Sequence, residues 1–147
     1  MSRTRGLVLG TVLLLAAGAL SSGCVGRASG AGTASPAPDG TLVVDVHYSK
    51  FSVSEVQVRK GQTVRFVIRN HDPIPHELIV GDQAVQDRHE RGTEAHHGDR
   101  PGEVSVPAGA TAETTFAFTA TEPGTLLFGC HLPGHWTYGM RGTIRVA

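Results

Sequence analysis

The sequence predicts an all-β domain: a sandwich or barrel of seven or eight short strands, interrupted by one polar, histidine-rich insert. Three observations lead there. Nineteen glycines and eight prolines in 147 residues, against 5% aromatics, require many turns. Short stretches alternate apolar and polar residues with the period of two that a half-buried strand needs. Turn signals such as Lys60-Gly61 and Glu122-Pro123-Gly124 separate these stretches.

The elements follow in chain order. Thr41–Tyr48 alternates and carries β-branched residues. Phe51–Val58 sets Phe51, Val53, Val56 and Val58 apolar, with a register slip near Glu55 that predicts a bulge. Gln62–Arg69 offers Val64, Phe66 and Ile68 on one face, and His76–Val80 is short and apolar. Asp82–Glu103 is polar and does not alternate; Gln83–Arg91 has room for one or two helical turns, stopped by Gly92. Thr111–Thr119 places Phe116 and Phe118 together, Thr125–Cys130 follows, and Arg141–Val146 closes the chain.

Outside these elements the N-terminus reads as an address. Arg3 and Arg5 precede the apolar run Leu7–Leu20, and small residues lead to Cys24. This is the order of a secretory signal peptide over residues 1–23, and the run is shorter than the about 20 residues a membrane span needs. The small residues before Cys24 resemble a bacterial lipobox, which would make Cys24 the lipidated residue; Ser21 stands where that pattern prefers leucine. Residues 24–40 are small residues and prolines and read as a flexible tether, leaving 41–147 as the domain. The expected location is therefore outside the cytoplasmic membrane, held to it by lipid. Thirteen basic against thirteen acidic residues argue against a nucleic-acid partner.

With Cys24 acylated, the exported domain keeps one thiol, Cys130. A solitary thiol in an oxidising compartment is a liability unless something occupies it. Its surroundings supply an occupant. Cys130-x4-His135-x4-Met140 lies between two strands, and His76 opens another strand far upstream. Two imidazoles, one thiolate and one thioether form the donor set of a mononuclear copper centre with a weak axial Met. Zinc accepts His2Cys but rarely a thioether. Pro133, Gly134 and Gly139 allow the tight loop that convergence requires.

On these residues the domain resembles a cupredoxin, the family of plastocyanin and azurin. The resemblance implies a Greek-key sandwich, a single type 1 copper ion, His76, Cys130 and His135 as strong ligands and Met140 as the axial one. It also implies that His135 is the electron port, with Leu132, Pro133 and Trp136 as the rim of a docking patch; Trp136 packing over the loop is the alternative. The loop is similar to that of multicopper oxidases as well, but Gly129 stands where their first cluster histidine lies and no His-x-His pair occurs. In many cupredoxins asparagine follows the first histidine and pins the cysteine loop. Here Glu77 does so, either turned to solvent by strand alternation or lying beside the metal.

The remaining histidines divide. By alternation His131 points away from the metal, as a structural or solvent-facing residue. His71 reads as a turn residue, with a contact to the back of the metal ligands as the alternative, and His47 as a strand-surface residue. The insert clusters His89, Glu90, Glu94, His96 and His97. It reads as a solvated polar loop, with a second, weaker copper or zinc site as the alternative.

The leading expectation is a tethered electron carrier that is not an enzyme and works with a redox partner. The competing one is an extracytoplasmic copper-handling protein that stores, delivers or senses copper, partnered by whatever receives it.

Overall fold

The computed structural model describes residues 31–92, 100–119 and 124–147. They form ten strands and one helix: β1 (Gly32–Ala34), β2 (Thr41–His47), β3 (Lys50–Phe51), β4 (Val53–Val58), β5 (Thr63–Asn70), β6 (His76–Gly81), α1 (Gln83–Glu90), β7 (Glu103–Val106), β8 (Thr111–Ala117), β9 (Gly124–Gly129) and β10 (Arg141–Val146). A six-stranded sheet runs β1-β4-β10-β9-β6-β7 and a four-stranded sheet runs β3-β2-β5-β8. The all-β sandwich stands as expected.

Three strands exceed the sequence reading. β1 falls inside the stretch read as tether and pairs in parallel with β4; backbone ladders ask little of side chains, so Gly-Thr-Ala can add an edge where composition promises nothing. β3 is a two-residue fragment split off at Ser52, close to the expected irregularity. β7 lies just past the polar insert, where only Val104 and Val106 carry a strand signal. The sheets are also mixed, because β4 joins both β1 and β10 in parallel and β2 joins β5 in parallel.

The core lies between the sheets. Leu42, Val44 and Val46 of β2 and Val64, Phe66 and Ile68 of β5 face Val56 and Val58 of β4, Leu78 and Val80 of β6, Phe128 of β9 and Ile144 and Val146 of β10. Their alternation gives each sheet one apolar face. β6 departs from the pattern, since all six of its residues are buried. Its outer face is covered by α1, which packs on β6 and β9. α1 starts where Asp82, in extended conformation, accepts a hydrogen bond from the Val85 N–H at 2.9 Å, and stops at Gly92 with φ of +70°. Among the described residues no helix is long and apolar enough to cross a membrane.

One pole of the sandwich gathers the predicted donors. β6 runs antiparallel to β9, with Ile79 opposite Gly129, and β9 runs antiparallel to β10, with Gly129 opposite Arg141. The start of β6, the end of β9 and the start of β10 therefore lie side by side. His76, Cys130 and Met140 occupy those three strand ends.

Candidate metal centre

Three predicted donors converge. One nitrogen each from His76 and His135 and the Cys130 sulfur lie within 4.8 Å of one another. Cys130 Sγ is 3.3 Å from His135 Nδ1, and the two imidazole rings are 5.0 Å apart. Cys130 and His76 are buried and His135 half-buried, so the cluster meets solvent at the His135 edge. Met140 is buried as well. Its carbonyl accepts from the Cys130 N–H at 3.0 Å, and its own N–H donates to the His135 carbonyl at 2.9 Å. The loop from 130 to 140 is thus closed on itself by backbone bonds, helped by Gly134 and Gly139 with φ of +85° and +87°.

His76 is held from behind. Its Nε2 donates to Asp72 Oδ2 at 2.9 Å, and its buried Nδ1 has no hydrogen-bond partner among the described residues. An orphaned buried nitrogen is costly unless something else takes its lone pair. The carboxylate fixes the tautomer that leaves that lone pair facing the cluster, the usual support of a metal-bound histidine. Asp72 is fixed in turn by the N–H groups of Tyr48 and Ser49, both at 2.7 Å. These two residues sit at φ of 52° and 54°, a left-handed pair whose strain is offset by aiming two donors at one carboxylate. Asn70 completes the support: its Oδ1 accepts from the Asp72 N–H and its Nδ2 donates to the Ile74 and Pro107 carbonyls.

The electrostatics suit a metal. Burial pushes the Cys130 thiol up from 9.0 to about 12, with donors from the backbone only partly opposing it. The free pocket therefore holds a neutral thiol, whose proton would be released to solvent when a metal ion binds. Burial, then the neighbouring His76, lowers His135, which keeps its ring neutral and able to donate a lone pair. The residues present fit a copper ion: His76, Cys130 and His135 could hold it, with Met140 on the same closed loop.

Glu77 corrects one expectation. Alternation does turn it to the outer face of β6, but that face is not solvent. α1 and the cysteine loop cover it, and Glu77 is buried. Its Oε1 accepts from the His131 N–H at 2.7 Å, so the carboxylate pins the ligand loop. His131 is the structural residue foreseen, in firmer surroundings. Its Nε2 donates to Gln86 Oε1 at 2.8 Å, its Nδ1 lies 2.9 Å from Glu90 Oε2, and its ring stacks on Trp136 at 4.6 Å. Arg141 covers Trp136 at 5.1 Å, and a Cβ at Gly129 would overlap the Trp136 ring. Trp136 therefore packs over the loop. Leu132 packs against the core and Pro133 is exposed.

The insert contributes through its helix. Gln86 is buried, and its amide donates toward the Ile79, Gly81 and Leu127 carbonyls. His89 is buried, with Nδ1 donating to the Val85 carbonyl at 2.8 Å and Nε2 3.4 Å from Glu103. Among the described residues the donors already within 4.8 Å of one another are those of His76, Cys130 and His135, and they do not include His89. Glu94, His96, His97 and Cys24 lie outside the described residues. Asp72 and Gln86 were missed from sequence. Asp72 carried a signal, a carboxylate four residues before His76 across a proline turn. Gln86 in a polar segment carried none.

A His2Cys cluster with two of its three donors buried, and a thioether on the same closed loop at one pole of a two-sheet sandwich, defines a copper protein of the cupredoxin class. The sequence pattern described as "Copper binding proteins, plastocyanin/azurin family" matches residues 39–147, and the chain belongs to that family. A relative in Rubrivivax gelatinosus, described as the copper-resistant cuproprotein CopI, is 37% identical over 119 residues, covering 78% of this chain and 70% of its own. A protein of the same description in Pseudomonas aeruginosa is 28% identical over 172 residues, covering 95% and 93%. Among solved structures, the reduced auracyanin of Roseiflexus castenholzii superposes with a TM-score of 0.61 at 22% identity, over 74% of this chain and 97% of that one. This last likeness bears on fold alone.

Proposed function

We propose that the protein is an extracytoplasmic, redox-active copper protein that holds one copper ion with His76, Cys130 and His135 as strong ligands and Met140 as the weak axial one. Copper bound to such a donor set supplies a single electron reversibly by moving between Cu(I) and Cu(II). The observation that carries the reading is that the three strong donors are already within 4.8 Å of one another, with two of them buried. A pocket set in advance changes little when charge changes, which favours electron exchange. His135, the half-buried member, is the route by which a partner protein would reach the metal. No bond-making step is assigned to the chain.

A second reading is copper handling, and a specific observation favours it. The relatives at 37% and 28% identity are described as copper-resistant cuproproteins. In that role the chain would bind copper outside the cytoplasm and limit or pass on its load, with a copper-receiving protein as partner. A signal peptide over 1–23, lipidation at Cys24 and a tether to about residue 40 would fit either role and keep the domain at the membrane surface.

Voltammetry together with a chelator challenge separates the two. The electron-transfer reading expects a reversible one-electron wave and slow loss of Cu(I) to a competing chelator. An irreversible wave with rapid surrender of the metal would overturn it in favour of copper handling.

A further inference from the structure

A second cluster of donors lies on the outer face of the four-stranded sheet. β2 buries Leu42, Val44 and Val46, so Asp45 and His47 point outward. His71 follows β5, and its N–H donates to the Val46 carbonyl at 3.0 Å. That bond carries the parallel ladder one step past the Val46–Asn70 pair and sets His71 directly opposite His47. The two rings stack at 4.2 Å, only 2° from parallel, and His71 Nε2 meets Asp45 Oδ1 at 2.9 Å. The side chains of His71 and Asp45 are 44% and 37% exposed, and His47 is exposed.

We propose that Asp45, His47 and His71 form a surface site for one divalent transition-metal ion, Zn(II) or Cu(II), separate from the buried pocket. Two imidazoles and one carboxylate are a donor set such ions accept, and water fills the open positions at an exposed site. The parallel ladder fixes the opposition of the two histidines, and Asp45 supplies negative charge from the next outward position on β2. Stacked rings cannot both aim a nitrogen at one point, so binding requires one ring to turn. The His47 side chain is exposed and has no hydrogen-bond partner among the described residues, and it is the ring that turns. The site adjoins the pole of the buried pocket, since His71 directly precedes the Asp72 that holds His76.

Calorimetric titration of Zn(II) into the full chain carrying Cys130→Ser tests this, beside the wild-type chain given one equivalent of Cu(I) beforehand. The expected result in both is one saturable Zn(II) site. The double substitution His47→Ala and His71→Ala should abolish it without moving the melting temperature. Each single substitution should weaken it by at least the about 10–100-fold that loss of a mere supporting residue costs. No saturable Zn(II) binding, or binding undiminished in the double variant, would overturn the proposal. Failure of the buried pocket to take copper would show instead as a separate wild-type sample that stays colourless when titrated with Cu(II), with the Zn(II) titration of Cys130→Ser unchanged.

Discussion

Asp72 gathers three donors: the His76 ring and the N–H groups of Tyr48 and Ser49. Asp72→Ala should weaken copper binding by about 10–100-fold, the range found for supporting partners of metal-bound histidines, in a competition titration with a chelator. An affinity equal to wild type would show that the carboxylate does not orient His76. Acid and base should expose two of these groups in the metal-free protein. Burial alone would raise Asp72, but the donors from Ser49, Tyr48 and His76 outweigh it and leave the carboxyl below its usual 3.8. Its contribution to stability is thus present above pH 3.8 and is lost as pH falls through the folded value. Cys130 is shifted the other way, from 9.0 to about 12 by burial. Its contribution is full below pH 9.0 and fades as pH climbs toward 12. Thermal melts of the metal-free chain should decline at both ends, and Cys130→Ser should flatten the alkaline limb alone. At this scale the sequence was most informative where chemistry is rare. Cys130, His135 and Met140 stood out because thiolate, imidazole and thioether at even spacing have few other uses. Glu77 was misjudged because alternation tells which face a residue takes, not what covers that face.

α1 is the element that distinguishes this site. It lies over β6 and reaches the ligand loop through Gln86 and Glu90, both bound to the His131 ring. Gln86→Ala would leave His131 Nε2 and carbonyls of β6 and β9 without this amide, at a cost of about 1–3 kcal/mol for an unsatisfied buried group. Urea denaturation of the metal-free chain should read that loss. Hydrogen exchange should show faster opening of the His131–Met140 amides than of the distant β2–β5 ladder. Equal protection in the variant would mean that α1 merely covers the sheet. The helix itself was legible in sequence, as one or two turns over Gln83–Arg91 with Gly92 as stop, and the structure adds Asp82 as its cap. Its docking was not, because the contacts run through Gln86, a residue whose sequence surroundings look fully solvated. β1 and β7 escaped for a related reason: both are short edge strands whose pairing rests on backbone bonds rather than on an apolar pattern.

The whole molecule brings four residues, three at strand ends and His135 on the loop between β9 and β10, to one pole. The sandwich was legible because alternation in β2, β4 and β5 is strict and each apolar face needs a partner layer. The parallel pairings were not, since turn signals report neighbours in sequence and β4 meets β10 across most of the domain. The antiparallel β9–β10 pairing sets Met140 beside Cys130, and the parallel pairing with β4 holds β10 from its other side. The proposed copper function requires these donors to share one ion. Titrating Cu(II) into the metal-free chain while recording visible absorption is the most direct check. An intense thiolate-to-copper charge-transfer band should grow to saturation at one copper per chain, and it should be absent when Cys130→Ser is titrated in the same way. A chain that stays colourless at saturation, or a band that survives the loss of Cys130, would contradict it.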